Sequence, residues 1–350
     1  GVLGTTAESY TYDALDRMLT AVDDDFQVEF TWDSVGNLLK DKQGYTTVGT
    51  ERWQTVTTAT TDAGSTASIA YPSGFQVSHS RDAIYRLTTL TDVGATATIA
   101  SFTWQGAGRL ATTTNQNGTG TDYVYDGFRR VASIDHTLSG GGSLHKFEYL
   151  YDKVHNRRME KNTFSATWIA TLPAAVQTFL NGRNNKGDVY AYDWAYRLID
   201  ARYDVTNPAT EVATPGSQPF VRLVQYTIDG LGNRSQVQTT PPTPPSTVTY
   251  ANDVVNQYTT VGGTARTHDN NGNLTDDGTW LFAYDFQNRL VEVTNKSTMT
   301  VVATYRYDAL GRRVEKAVAG GATTRFVLDG VEVVEEFDGS NVWQARYVYE

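Results

Sequence analysis

The sequence contains no cysteine. Disulfides and thiolate metal sites are thereby excluded, and stability has to come from packing and strand pairing. No run approaches the roughly 18–20 apolar residues of a membrane-spanning helix, and no charged-then-apolar leader opens the chain. Positive charge is short as well. With 29 Lys and Arg against 39 Asp and Glu, the formal charge is −10 and the pI near 5.0, so the basic footprint of a nucleic-acid binder is missing. The five histidines (His79, His136, His145, His155, His268) stand apart, without the H-E-x-x-H spacing of a zinc site. Gly-x-Ser-x-Gly is absent, and Gly140-Gly141-Gly142-Ser143 lacks the Lys that would make it a phosphate loop. No cofactor and no catalytic residue is expected from this inventory.

Aromatic residues are plentiful by contrast. The 21 Tyr, 13 Phe and 7 Trp, with abundant Thr and sparse Lys, suit strands better than helices. At 350 residues the chain is long for one compact domain but ordinary for a repeat array. Its opening at Gly1 and its stop at Glu350 inside a strand-like run read as a piece processed or excised from something longer.

A repeat organises these residues. Tyr305-Arg306-Tyr307-Asp308-Ala309-Leu310-Gly311-Arg312 reads as a hairpin tip. Tyr305 and Tyr307 share one strand face. Asp308 opens the turn by accepting main-chain N–H groups, and Gly311 supplies a positive φ that Gly, Asn or Asp reach cheaply. Related copies turn at Asp13 (with Tyr10, Tyr12 and Arg17), Asp33 (Gly36), Asp82 (Arg86) and Gln105 (Gly108, Arg109). Further copies follow at Asp126, Asp152, Asp193 (Arg197), Asp229 (Gly232), Asp253, Asp269 (Gly272) and Asp285 (Arg289). Arg325 to Gly330 is a last variant, followed by a terminal hairpin turning at Asp338-Gly339-Ser340-Asn341.

Spacings of 16 to 49 residues between the turn positions fit hairpins of five- or six-residue strands, the longest holding extra loops. Insertions are expected near 44–70, 160–185, 206–220 and 239–247. The first holds an eroded hairpin around Asp62-Ala63-Gly64-Ser65 and is followed by a turn at Pro72-Ser73-Gly74; the second holds one helical turn at Leu172 to Val176. Thr206 to Pro219 and the Pro241-Pro242-Thr243-Pro244-Pro245 stretch read as loops. Asp23-Asp24-Asp25 reads as a solvated connector. The same repeat resumes after each insertion, so residues 1–350 are expected to form a single array.

The slots suggest their purpose. Three residues before the turn position, ten of twelve copies have Tyr or Phe, and five residues after it nine of twelve have Leu, Met, Val or Tyr. These two positions can approach across a hairpin and pair on one face. Four residues after the turn position stands Arg in seven copies and Asn or Gln in five. A planar donor there can lie over a neighbouring Tyr ring or reach the Asp of its own or the adjacent turn. Tyr, Asp, Gly and Arg in these slots are therefore read as architectural. A calcium loop at Asp269 to Asn273 fails the EF-hand spacing, because Leu274 and Trp280 stand where Gly and Glu are required.

The Y-x-Y-D-x-x-G-R-L unit resembles the YD repeat of bacterial RHS proteins, insecticidal toxin-complex C components, wall-associated bacterial proteins and teneurins. It is kept best at Tyr305 to Arg312, Tyr10 to Leu19 and Phe282 to Leu290. The resemblance implies an all-β fold: repetitive antiparallel hairpins in a spiralling sheet strip, a YD-repeat shell that is open or partly closed in this fragment. It implies a secreted or cell-surface bacterial location. It also implies a non-catalytic wall that encloses or presents a downstream polypeptide such as a toxin. The partners so implied are further repeats or a C-terminal core or effector of the same polypeptide, or another chain covering the terminal strands. The family's self-cleaving core uses Asp in a D-P-x-G context; no Asp-Pro occurs here, so self-cleavage does not carry over. The alternative is an adhesion module binding carbohydrate or a protein through Trp32, Trp104, Trp194 and Trp343.

Overall fold

A computed structural model describes residues 7–24, 26–45, 52–241 and 243–349. Gly1, Glu350, Asp25 of the acidic connector, Pro242 of the proline-rich stretch and residues 46–51 of the first insertion lie outside the described residues. The described residues are mostly antiparallel strands, which pair with their sequence neighbours in three runs. Pairing runs in chain order from Ser9–Tyr12 to Leu87–Asp92. It also runs from Ala97–Gln105 to Tyr258–Val261. A third run extends from Thr267–His268 to Trp343–Arg346.

A hairpin of two strands is marginal by itself in water, and neighbours on both sides are what stabilise each one. The register explains the slots. At Asp308, Arg306 faces Glu315 but Tyr307 faces Arg313, so Val314 is an extra residue on its strand. The same one-residue slip occurs at Asp13, where Thr11 faces Thr20 and Tyr12 faces Met18. This is the bulge that follows a tight turn whose last residue has positive φ. Because of it, the residue five after Asp sits directly opposite the residue one before it, and the aromatic three before lies on a diagonal. At two of the Arg copies that diagonal is a close contact: the Arg157 guanidinium lies 5.9 Å from the Tyr149 ring centre, and that of Arg313 5.8 Å from Tyr305.

Two compact units form, one from the chain up to Ile99 together with the chain from Ala265 on, the other from Ala100–Thr264. In the first, early and late hairpins share a core of Ala21, Phe26, Val28, Ala309, Val314 and Leu328, all buried. Removing side chains such as Val28 and Val314 from water contributes about 1.5–3 kcal/mol each. Gln43 stitches the same interface, donating to the Leu328 carbonyl at 2.7 Å and accepting from its N–H at 3.0 Å. Its burial is tolerable because both ends of the amide are satisfied. In the second unit, Met159, Val189 and Val205 form a smaller core over which Val212 packs.

The insertions differ from expectation in two places. The helical turn at Leu172 to Val176 is part of a ten-residue helix, Ala174–Arg183, preceded by a short one at Ala166–Ile169. Thr206 to Pro219 is not wholly loop: Pro208 starts the helix Pro208–Ala213, where its missing N–H costs nothing. Buried Glu211 closes that insertion by accepting from the N–H groups of Gly216 and Gln218 and pairing with Arg202. The Asp62 region is a hairpin of Arg52–Thr60 with Thr66–Ala70.

Candidate functional site

The recurring turn is the commonest chemically distinctive feature among the described residues, and Asp308 shows how it is built. Its N–H donates to the Arg312 carbonyl and its own carbonyl accepts from Gly311, both at 2.9 Å. One carboxylate oxygen, Oδ1, accepts from the N–H groups of Leu310 (3.0 Å) and Arg312 (2.9 Å). The other, Oδ2, accepts from Arg312 Nε at 2.7 Å. A five-residue loop thus consumes the whole carboxylate. Only a side chain one methylene long folds back this tightly.

The same backbone pattern, with both N–H groups on Oδ1, holds at Asp13, Asp33, Asp82, Asp126 and Asp152. It holds again at Asp193, Asp229, Asp253, Asp269, Asp285 and the terminal Asp338. The fourth loop residue has positive φ whatever its identity: Gly36, Gly232, Gly272 and Gly311, but also Tyr85, Arg129, His155 and Tyr196. The side chain therefore does not choose the conformation. The carboxylate clamp imposes it, at a cost for the bulky residues of about 1–2 kcal/mol.

The Gln105 copy differs. Gln105 pairs with Arg109 as the end of a strand, and Gly106 rather than Gly108 carries the positive φ. A Gln side chain is one methylene too long for the clamp, so the turn is rebuilt. The Asp329 variant differs too, with Asp329 paired to Glu332 across a two-residue turn at Gly330 and Val331.

The turn position also fastens neighbouring hairpins. Arg17, Arg130, Arg197 and Arg289 each place Nε on their own Asp and Nη1 on the carbonyl of the next turn Asp. Arg130 and Arg289 also stack on the next Tyr ring, at 4.6 Å from Tyr151 and 5.2 Å from Tyr307. The return link, in six copies, comes from the aromatic just before the Asp. Tyr125, Tyr151, Tyr192, Tyr284 and Tyr307 donate to the carbonyl five residues past the preceding turn position, at 2.8–2.9 Å. Trp32 Nε1 does the same to Met18 at 2.7 Å. Asn copies reach their own Asp from Asn37, Asn156, Asn233 and Asn273. Arg86 likewise bonds Asp82. Tyr10 departs from its slot, donating to the Ala309 carbonyl and to Glu8. Burial and that carboxylate push its hydroxyl up to about 12.

Electrostatics follow from this geometry. The Arg17 N–H on Asp13 and the Arg197 N–H on Asp193 hold those carboxyls below their usual range. Asn233 and Asn273 do so for Asp229 and Asp269 through their side-chain amides. The first unit has the opposite case in its interior. Burial raises Asp41 and Asp329, and Arg312, bonded to Asp41 at 3.0 Å and to Asp308, counters it at Asp41. Close by, buried Glu335 accepts from the Ser73 N–H at 3.2 Å and pairs with Arg346. Asp41, Gln43, Glu335 and Glu211 carry no signature in the sequence. Their partners lie up to 285 residues away or in an irregular insertion, and no local pattern marks them.

Among the described residues there is no group of three or more His, Asp or Glu able to hold a metal ion. Asp269, the calcium-like position, has both oxygens engaged by Asn271 and Asn273. Trp32 is spent on Met18, and Trp343 lies under Arg346; Trp194 is exposed at a turn tip.

A strip of hairpins joined by Asp–Arg turn clamps is a YD-repeat architecture, and the proteins this chain is similar to support an RHS/YD-repeat protein. A family model described as Teneurin YD-shell matches residues 180–332. The tRNA nuclease WapA of Bacillus subtilis strain 168 is 36% identical over 128 residues, which cover 36% of this chain and 6% of the relative. The tRNA(Glu)-specific nuclease WapA of Bacillus subtilis subsp. natto is 36% identical over 104 residues, 29% of this chain and 4% of that one. Among solved structures, TcdB2–TccC3 without its hypervariable C-terminal region superposes with a TM-score of 0.69 at 17% identity, covering 95% of this chain and 18% of that chain. The Photorhabdus luminescens Tc holotoxin pore gives 0.67 at 17% identity, again 95% and 18%. These structures share the fold. The chain spans a small fraction of each relative's length. Among the described residues, no helix is long and apolar enough to cross a membrane.

Proposed function

We propose that these 350 residues are one stretch of a single YD-repeat array, a non-catalytic wall of an exported RHS-type protein. The wall encloses or presents a downstream polypeptide of the same chain. The observation that carries this reading is the use of the turn side chains. Every clamped Asp spends its carboxylate on main-chain N–H groups of its own loop, most also on the Arg or Asn four residues on, and many of those Arg tie one hairpin to the next. Groups so committed join hairpin to hairpin and are not free to activate a substrate. The nuclease activity named for the WapA relatives belongs to proteins of which this chain matches 4–6%. Adhesion through exposed aromatics is not carried forward: Trp32 is spent on the Met18 carbonyl and Trp343 packs with Arg346.

The test is protease protection. A polypeptide carrying this array and its downstream segment should release that segment to trypsin only after unfolding. Digestion of the downstream segment at the same rate with and without the array would overturn the reading.

A further inference from the structure

In the Ala100–Thr264 unit, successive turns stand side by side along one edge. Arg130 reaches the Asp152 carbonyl at 2.9 Å, Arg158 the Tyr190 carbonyl at 2.9 Å, Arg197 the Asp229 carbonyl at 2.7 Å, and Asn233 the Asn256 side chain at 3.1 Å. With strands 4.7–4.9 Å apart, five such turns span roughly 40 Å. Their tips are apolar and bare. Phe128 is 74% exposed, Trp194 89% and Leu231 78%, and Val154, Tyr196 and Val255 are exposed beside them. A contiguous apolar edge of this length is unusual on a soluble surface and marks a contact site.

The other unit shows what covers such a tip. There the Asp308 turn is docked: Ala309 is 5% exposed, in one cluster with Ala21, Phe26 and Val28. Tyr10 donates to the Ala309 carbonyl at 2.8 Å, and Arg312 bonds Asp41. The Tyr71-to-Phe75 turn is docked likewise, with Ser73 on Glu335 and the Arg346 guanidinium 3.9 Å from the Phe75 ring centre. In both cases the cover is the strand face of other hairpins. It offers apolar contact in the first case and a guanidinium over the turn's own ring in the second, and in both a carboxylate within reach of one of the turn's donors.

We propose that the turn edge carrying Phe128, Val154, Trp194, Tyr196, Leu231 and Val255 is a docking edge for the strand face of further YD hairpins of the same polypeptide. This rests on the reading of the array as a wall, and adds that the wall closes by seating turn tips on strand faces. The occupant follows from the internal precedent at Asp308 and from scale, since the chain spans 18% of the solved shells that it matches.

The absence of cysteine makes the test clean. Trp194→Cys, Leu231→Cys and, as an off-edge control in an exposed loop, Ser217→Cys are labelled with a maleimide. Labelling is done in the 350-residue chain and in a polypeptide extended by the adjoining repeats. Positions 194 and 231 should react at least tenfold more slowly in the extended polypeptide, with position 217 unchanged. Hydroxyl-radical footprinting of Phe128 and Trp194 in the unsubstituted proteins reads the same protection if a variant folds poorly. Equal labelling in both proteins overturns the proposal. So does protection that grows with the concentration of the 350-residue chain alone, which would assign the edge to a second copy. Trypsin digestion of the same samples separates the two readings. A protected downstream segment with reactive thiols removes the docking edge and keeps the wall; a digested segment with protected thiols does the reverse.

Discussion

Arg289 bonds the Asp285 carboxylate through Nε at 2.6 Å and the Asp308 carbonyl through Nη1 at 3.0 Å. One guanidinium therefore closes its own turn and holds the next. Lysine, a single point of charge, cannot span both acceptors in fixed geometry. The recurrence of Arg four residues after Asp is explained by reach, and Asn copies, being shorter, keep only the first bond to a turn Asp.

Arg197→Lys should therefore loosen the Asp229 turn as well as its own. Charge-assisted hydrogen bonds contribute about 1.5–3 kcal/mol when buried, and partial exposure here reduces that to about 1 kcal/mol. Hydrogen exchange should speed up at the amides of Leu231 and Asn233, 32 residues or more away in sequence. Faster exchange confined to residues 193–197 would contradict the link.

The same substitution should have different costs at two turns. Asp308 is buried with Arg312 and Asp41, so Asp308→Asn leaves the Arg312–Asp41 pair intact but sets an amide NH2 against the buried Arg312 Nε donor, and should cost about 1.5–3 kcal/mol. Asp269→Asn, partnered by the neutral Asn273, should cost about 1 kcal/mol. Urea midpoints of the two variants measure this, and equal shifts would remove the distinction.

Glycines in the chain fall into two kinds. Gly311 has a φ of +78° with open space where a Cβ would stand, so Gly311→Val should cost about 1–3 kcal/mol through backbone strain alone. Gly311→Asn should be milder, since Asn288 holds the same slot at +63°. Tyr196, at +62° and exposed, invites the reverse: Tyr196→Gly should stabilise by up to about 1 kcal/mol in thermal unfolding. Gly187 has no positive φ, but a Cβ there would collide with the Glu160 carbonyl oxygen. Gly187→Ala should separate Arg157–Phe164 from Gly187–Tyr192, visible as lost exchange protection on both.

Acid should act in two opposed ways. The turn carboxyls of Asp13, Asp193, Asp229 and Asp269 are depressed in the fold, so they stabilise above the unfolded value of about 4 and lose that contribution as pH falls through their folded values. Burial raises Asp41 and Asp329, whose ionised forms destabilise above about 4 and cease to do so on protonation. Stability should thus hold or rise slightly as pH falls from 7 toward 5, and drop below about 4. Asp41→Asn should flatten the upper slope. A decline starting above pH 5 in the unsubstituted chain would show that the signs are wrong.

Reading the sequence located the turns, since the clamp is local: Asp and its donors lie within five residues, and a dozen copies make the pattern plain. The bulge was not legible, because a one-residue slip leaves composition and spacing unchanged while re-pairing the slots. Gln105 carried the repeat's spacing without its carboxylate, and there the turn moved its positive φ to Gly106. The helix Ala174–Arg183 was underestimated because it lies in an insertion outside the repeat, where only propensity and Pro173 mark it.

By itself, then, the sequence determined the unit: an Asp that folds back on its own backbone, a planar donor beside it, and aromatics alternating along a strand. These follow from covalent reach and two-residue periodicity. Only the tertiary structure decided which units meet. Gln43 finds Leu328, Arg312 finds Asp41 and Ser73 finds Glu335 because early and late hairpins share an apolar core, and burial removes water as the competing partner.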